Sequence, residues 1–83
     1  MYELKIEEIA EKFLNKISKQ DSDIILKKLY SIRETPFRFL KRLQGSKFWR
    51  LRVLNYRAII DVIISGKRII VLRIGYRKGV YGK

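Results

Sequence analysis

Cysteine and histidine are absent from the 83-residue sequence, and proline occurs only once. A chain without cysteine has no disulfide bridge and no thiolate nucleophile, and the additional absence of histidine excludes the common zinc sites. Long hydrophobic runs are also missing, since none approaches the roughly 20 residues of a membrane-spanning helix. The first residues lack the pattern of a secretory signal. We therefore expect a cytoplasmic protein that does not bind membranes.

Acidic residues are scarce in one half of the chain only. Residues 1–37 carry seven basic and seven acidic side chains, whereas residues 38–83 carry thirteen basic side chains and a single acid, Asp61. The whole formal charge of +12 therefore lies in the second half. Solubility requires neither this magnitude nor this segregation. The sequence indicates a polyanionic partner, either a nucleic acid or a strongly acidic protein.

The hydrophobic content of 47% is typical of a folded protein, and 83 residues suffice for one hydrophobic core but not for two. We therefore predict a single domain over residues 1–83. Alternating apolar side chains predict a short strand at 2–6, and apolar residues at helical spacing predict a helix at 7–17. Asp21 or Ser22 is predicted to cap a second helix that extends to about Ile32. The short connection makes the pair an antiparallel helical hairpin.

The region after the helices is rich in β-branched and aromatic residues, apart from a stretch at 37–47 that we interpret as a loop. Strands are predicted at 48–54, 56–64 and 69–74, with a two-residue turn on Ser65-Gly66 or Gly66-Lys67 between the last two. The predicted fold class is α+β. It has a small antiparallel sheet, made of the N-terminal strand and a C-terminal three-stranded meander, with the helical hairpin packed on one face.

Arginines gather on the predicted meander. Arg50 and Arg52 are next-but-one residues on one strand and share a face of the sheet. Arg57 lies on the next strand, and Arg77 follows the last one. A single strand arginine is ordinarily just solvated, but four without a neighbouring acid indicate an anionic ligand, and the planar guanidinium group suits phosphate. Rings on which single-stranded bases can stack are offered by Tyr56, Tyr76 and Tyr81. The first of these is equally compatible with a buried position.

The missing residue types also restrict the chemistry. With Asp61 as the only carboxylate of the basic half, a two-metal phosphodiesterase site is disfavoured, and without histidine there is no imidazole acid–base pair. We expect neither a metal ion nor a cofactor. The remaining route is cleavage of RNA by its own 2′-hydroxyl group, with cations stabilising the pentacovalent phosphate. Side chains whose pKa is about 10 or higher are poor bases at neutral pH, so something else must align the substrate.

Two blocks of sequence resemble a known family. Residues 43–62 read Leu-Gln-Gly-Ser-Lys-Phe-Trp-Arg-Leu-Arg-Val-Leu-Asn-Tyr-Arg-Ala-Ile-Ile-Asp-Val, and residues 71–81 read Val-Leu-Arg-Ile-Gly-Tyr-Arg-Lys-Gly-Val-Tyr. Over almost its whole length the chain resembles the RelE/ParE toxin superfamily, and within it the RelE-like mRNA interferases. The resemblance implies a toxin of a type II toxin–antitoxin system. It further implies a ribosome-dependent endoribonuclease that cuts mRNA in the ribosomal A site and thereby inhibits translation.

The resemblance also implies roles for individual residues. Arg50 and Arg52 match the paired basic residues that hold the RNA backbone and take part in proton transfer, although two arginines suit electrostatic stabilisation better than lysines do. Arg57 matches the arginine that stabilises the transition state, and Arg77 matches the arginine after the last strand. Tyr81 matches the near-terminal tyrosine that stacks on or activates the nucleotide. Further RNA contacts are expected at Lys41, Arg42, Lys47, Arg73, Tyr76 and Lys78.

A partner is implied as well. The family resemblance predicts a cognate RelB-like antitoxin that wraps the toxin and blocks this surface, in a heterodimer or heterotetramer that binds operator DNA and autoregulates its operon. Two alternatives remain open. One is a ParE-like inhibitor of DNA gyrase that cuts nothing, and the other is an inactive relic that binds only RNA or the antitoxin.

Overall fold

The computed structural model describes residues 1–77. Two helices follow an N-terminal strand, and the remaining strands come after them, which confirms the α+β class. In chain order the elements are β1 (Glu3–Ile6), α1 (Glu8–Lys16), α2 (Lys19–Ser31), a 3-10 turn (Pro36–Arg38), β2 (Lys41–Arg42), β3 (Trp49–Val53), β4 (Tyr56–Ile63) and β5 (Arg68–Tyr76). Within residues 1–77 no helix is long and apolar enough to cross a membrane.

The positions of the two helices follow from their apolar stripes and their capping residues. In α1 the buried Ala10 and Leu14 face the sheet, and acidic residues occupy the first turn, where the helix dipole favours them. The Oγ atom of Ser18 accepts a hydrogen bond from the backbone N–H of Asp21 at 3.1 Å and caps α2. This cap starts α2 at Lys19, earlier than predicted, because Ser18 is the capping residue and not Asp21 or Ser22.

The sheet formed by the described residues has five strands in the order β1-β5-β4-β3-β2. The predicted meander is confirmed, since β3 pairs antiparallel with β4 and β4 with β5. β1 differs from the expectation because it runs parallel to β5, and the sheet is therefore mixed. Side chains alternate in the same way in parallel and antiparallel strands, so the alternation does not predict the direction of a strand. The long connection that parallel pairing requires is supplied by the helices and the meander.

The stretch expected to be a loop contains a short strand. β2 pairs antiparallel with β3, with Lys41 opposite Arg50 and Arg42 opposite Trp49. The turn between them has Gly45 at φ +72°, and the N–H of Ser46 bonds the carbonyl of Leu43 at 3.1 Å. This is the place where a type II turn requires glycine. Two strand residues are too few for an alternation pattern, so β2 could not be predicted from local spacing.

The turns of the meander also depart from the expectation. Residues 64–67 connect β4 to β5, twice the predicted length, and the N–H of Lys67 bonds the carbonyl of Ile64 at 3.1 Å. Lys67, at φ +52°, takes the left-handed conformation in this turn. A turn of this length ends in a left-handed residue that twists the chain back into the strand.

The hydrophobic core lies between the helices and one face of the sheet. Its largest fully buried hydrophobic side chains come from both layers, and each is at most 1% exposed: Ile25, Leu29, Ile32, Ile60, Ile69 and Val71. α1 packs on β5 and α2 on β3. The side chains on the opposite face of the sheet therefore lie outside this core.

Candidate nucleic-acid interface

β3 separates apolar from basic side chains. Leu51 and Val53 are buried in the core, at 2% and 9% exposure. Because successive strand residues point to opposite faces, Arg50 and Arg52 lie on the face turned away from the helices. This alternation confirms that the two arginines share a face, as the spacing predicts.

Strand register adds further cations to the same face. Arg52 lies opposite Arg57 across β3 and β4. Arg50 lies opposite Lys41 on one side and Ile59 on the other, and Ile59 lies in turn opposite Arg73. Directly opposite residues in a sheet have Cβ atoms about 5 Å apart. We call the set Lys41, Arg50, Arg52, Arg57 and Arg73 the basic face.

Ile59 shows how closely the basic face is packed. It is only 7% exposed, yet it is not part of the cluster between helices and sheet. Its register neighbours are arginines, whose aliphatic stems can cover an apolar side chain while the guanidinium groups stay at the surface. Arg57 is half-buried, and its Nε atom is shielded from solvent. The guanidinium groups are therefore attached to a well-packed surface, which limits the entropy lost when an anion binds.

Asp61, the acid of the basic half, lies farther along β4 than the facing residues Arg52 and Arg57. It faces Ile70 in the register of β4 with β5, four residues along the strand from Arg57. That separation is about 13 Å at the rise of an extended strand. Among residues 1–77 no group of three or more metal-binding side chains occurs.

An aromatic cluster closes one end of the sheet. Tyr56 is 5% exposed, and its ring packs 5.3 Å from Tyr76 and 5.9 Å from Phe13. Its hydroxyl donates a hydrogen bond to Oδ2 of Asp21 on α2 at 2.7 Å. This hydrogen bond, with burial, raises the pKa of Tyr56 to about 12. Tyr56 is therefore a neutral buried donor, which decides between the two positions that the sequence left open.

A cleft beside this cluster brings several predicted residues together. The backbone N–H of Arg77 donates to the carbonyl of Asn55 at 2.9 Å and ties the end of β5 to the β3–β4 turn. The cleft has a volume of about 560 Å³ and is lined by Asn55, Arg57, Tyr76 and Arg77. Tyr76 is 55% exposed. Arg57 thus belongs both to the basic face and to this cleft, and links Arg52 to Arg77.

Arg42 lies away from the basic face. Arg42 is the register partner of Trp49, and its guanidinium group stacks on that ring at 4.8 Å. Lys47 lies over the ring of Phe48 at 5.6 Å. Trp49 packs against the core, so Arg42 is on the helix side of the sheet. Tyr81 and Lys78, also predicted to contact RNA, fall outside the described residues.

One cation near the basic face came from the neutral half of the chain. Lys28 of α2 lines a cleft of about 220 Å³ together with Lys41, Arg50 and Arg52. Its Nζ atom lies 4.8 Å from the centre of the Phe39 ring. The balanced charge of residues 1–37 concealed it, since only the packing of α2 on β3 places Lys28 there.

The sequence and fold have clear relatives. A family model described as "ParE toxin of type II toxin-antitoxin system, parDE" matches residues 4–81. No curated protein sequence matches the chain significantly.

Similar structures come from three RelBE toxin–antitoxin complexes. The complex from Mycobacterium tuberculosis matches with TM-score 0.82 at 18% identity, covering 92% of this chain and 98% of that chain. The archaeal complex from Pyrococcus horikoshii gives 0.81 at 25% identity over 93% and 96%. The E. coli complex gives 0.77 at 23% identity over 92% and 96%. The helical hairpin, the mixed sheet and the family match agree, and the chain belongs to the RelE/ParE superfamily of toxins from type II toxin–antitoxin systems.

Proposed function

We propose that this toxin is a ribosome-dependent endoribonuclease that cuts mRNA in the ribosomal A site and stops translation. The observation that carries the proposal is the basic face, where Arg52 and Arg57 stand directly opposite each other. Arg50 and Arg73 lie in the neighbouring row of the sheet, on either side of Ile59. Arg77 lines the cleft beside Arg57.

The proposed chemistry needs no metal ion and no cofactor. The 2′-oxygen of the substrate attacks the adjacent phosphate as its proton passes to water, and the pentacovalent species gains negative charge. The P–O5′ bond then breaks, which leaves a 2′,3′-cyclic phosphate and a 5′-oxygen that takes a proton from water. Arg52 and Arg57 stabilise that charge with fixed guanidinium donors. A guanidinium group is a permanent cation and not a base, so the two arginines contribute charge stabilisation. The ribosome supplies the in-line alignment of the RNA.

The other predicted residues take binding roles in this proposal. Lys41, Arg50 and Arg73 hold the RNA backbone along the basic face. Arg77 and Tyr76 contact the nucleotide at the end of the sheet. Tyr81 and Lys78 would act from the C-terminal residues that follow β5, and Arg42 and Lys47 would contact RNA beyond the β2 edge.

A RelB-like antitoxin is the proposed partner. The similar structures from M. tuberculosis, P. horikoshii and E. coli are complexes of a RelE toxin with its RelB antitoxin. A protein of charge +12 calls for an acidic partner. We propose that the antitoxin covers the basic face in a heterodimer or heterotetramer that binds operator DNA, and that the free toxin acts in the cytoplasm.

Inhibition of DNA gyrase is a second candidate, favoured by the description of the matching family as ParE toxins. A gyrase inhibitor would not cut RNA and would block supercoiling of plasmid DNA by purified gyrase. A supercoiling assay therefore separates the two functions.

The proposal is tested by mapping 5′ ends of an mRNA in a reconstituted translation reaction. We expect new ends at A-site codons when the toxin and ribosomes are both present, and none when the same RNA meets the toxin alone. Ends that appear without ribosomes would contradict the ribosome dependence. An absence of new ends in both reactions, with inhibition of supercoiling, would replace the proposal by the gyrase alternative.

A further inference from the structure

The cleft at the end of the sheet combines four chemically different groups. Asn55, Arg57, Tyr76 and Arg77 line a volume of about 560 Å³, which lies within the usual range for small-ligand sites, about 300 to 1,000 Å³. The lining has two cations, one aromatic ring and one amide. A nucleotide has a phosphate, a flat base and a base edge with hydrogen-bonding groups, so each part has a counterpart in the cleft.

The Tyr76 ring packs against two other aromatic rings and is also accessible to solvent. Phe13 meets it edge-to-face with ring centres 5.5 Å apart, and Tyr56 packs against it at 5.3 Å. It is nevertheless 55% exposed. A supported ring with an accessible surface is the arrangement on which single-stranded bases stack.

The support extends to a helix. Tyr56, the register partner of Tyr76, is fixed by the hydrogen bond from its hydroxyl to Asp21 on α2. Asp21 and Tyr56 do not line the cleft, so they act through Tyr76 as positioning residues.

Asn55 is exposed in the turn between β3 and β4. Its backbone carbonyl accepts a hydrogen bond from the N–H of Arg77, and that bond does not involve the side-chain amide. An amide carries both donors and an acceptor, so it can distinguish base edges, whereas arginines at phosphates cannot. Gly75, opposite Arg57 in the register, adds no side chain beside the cleft.

We propose, resting on the endoribonuclease function above, that this cleft is a nucleotide subsite for single-stranded RNA. The base stacks on Tyr76, its edge bonds the Asn55 amide, and Arg57 and Arg77 hold the phosphate. Tyr76 then provides stacking for any base, and Asn55 is the residue that makes cleavage depend on base identity.

Binding of short RNA to the full-length toxin tests the subsite without ribosomes. The probes are 2′-O-methyl pentanucleotides of adenine, cytosine and uracil, which lack the attacking hydroxyl, and an abasic pentamer of the same charge. Affinity is measured by fluorescence anisotropy at low salt, and the location by NMR amide shifts. We expect the base-bearing probes to bind about 5- to 150-fold more tightly than the abasic one, with shifts at Asn55 and Tyr76.

Matched variants assign the effect. Tyr76→Leu should remove the advantage of base-bearing over abasic probes, and Tyr76→Phe should keep it. Tyr30→Leu is the control, because Tyr30 is 50% exposed on α2, outside the cleft. It should leave the advantage unchanged. Asn55→Ala should abolish the differences among the three bases without weakening the abasic probe.

The positioning residues have their own rescue experiment. Asp21→Ala should reduce the advantage of base-bearing probes, and Asp21→Asn, whose amide oxygen can still accept the Tyr56 hydrogen bond, should restore much of it. A general loss of folding would instead weaken the abasic probe equally.

The outcomes separate this inference from the proposed function. Equal affinity for abasic and base-bearing probes would overturn the nucleotide subsite, even if A-site cleavage were observed. If base-bearing probes still bound more tightly than the abasic probe in both Tyr76→Leu and Asn55→Ala, base recognition would lie elsewhere. That result would also overturn the nucleotide subsite. Base-dependent binding at the cleft without any A-site cleavage would support the subsite and contradict the endoribonuclease.

Discussion

The two faces of the sheet are built from the same strands but have different roles. On β3 the side chains toward the helices are buried and apolar, and those on the other side are arginines. On β4 the neighbours Ile59 and Ile60 divide in the same way, one under the basic face and the other fully buried in the core. A period of two thus lets one short segment carry both the folding energy and the ligand-binding charge. Substitutions on one face should change stability, and those on the other should change binding.

The largest expected effect is on the helix side. Ile60→Ala should lower the free energy of unfolding by about 2–5 kcal/mol, because Ile60 is fully buried and its truncation leaves a cavity. Urea denaturation followed by circular dichroism measures the loss. Lys41→Ala, an exposed change on the basic face away from Ile59, should shift stability by no more than about 0.5 kcal/mol. Equal losses for the two variants would contradict the division between the faces.

Salt should act on the basic face. Each phosphate contact on single-stranded RNA contributes a slope of about −0.7 in the logarithm of affinity against the logarithm of salt concentration. Three contacts therefore predict a roughly 20-fold loss of affinity between 50 and 200 mM salt, measured by anisotropy with 2′-O-methyl RNA. Arg73→Ala should reduce the slope by about one contact, whereas Lys27→Ala on α2 should not. A salt-independent affinity would remove the electrostatic basis of the interface.

High pH should weaken the contact between helix and sheet at Tyr56. Its pKa is raised from 10.0 to about 12, so the folded state retains a proton that the unfolded state loses. The stabilisation is complete below pH 10 and is lost as the pH rises toward 12. Unfolding measured at pH 9 and pH 11 should show a larger decline for the parent than for Tyr56→Phe. Parallel declines would show that the Asp21 bond does not set this pH dependence.

The smallest expected effect concerns the β3–β4 turn. Leu54 has φ +57° and is 53% exposed, so a leucine occupies a left-handed position without much burial in return. Leu54→Gly should relieve about 1–2 kcal/mol of steric cost and lose about 0.5–1 kcal/mol of chain entropy. The net gain in unfolding free energy therefore lies between about 0 and 1.5 kcal/mol, measurable by urea denaturation. A clear destabilisation would mean that the Leu54 side chain contributes packing that its exposure conceals.

Much of the fold could be predicted because it follows local patterns. Strand alternation identified β3, β4 and β5, and with them the shared face of Arg50 and Arg52. Helical spacing identified both helices. The direction of β1 could not be predicted, since alternation is the same in parallel and antiparallel strands.

The missed features depend on contacts between distant residues. The bond between Asp21 and Tyr56 joins residues 35 positions apart, and no local pattern links them. Lys28 reaches the basic face only because α2 packs on β3. Arg42 was grouped with the other cations from its charge, whereas its register with Trp49 places it on the helix side. The roles of individual arginines in cleavage remain predictions.

The central claim is that the arginines of the basic face and its adjoining cleft perform RNA cleavage. The most direct measurement is the rate of A-site cleavage in reconstituted translation by the Arg57→Ala/Arg77→Ala double variant. Its matched control is Arg68→Ala, an exposed arginine at the opposite end of β5. We predict a loss of at least about 100-fold for the double variant and no change for the control, with both folded by circular dichroism. Cleavage by the folded double variant at the parental rate would contradict the account.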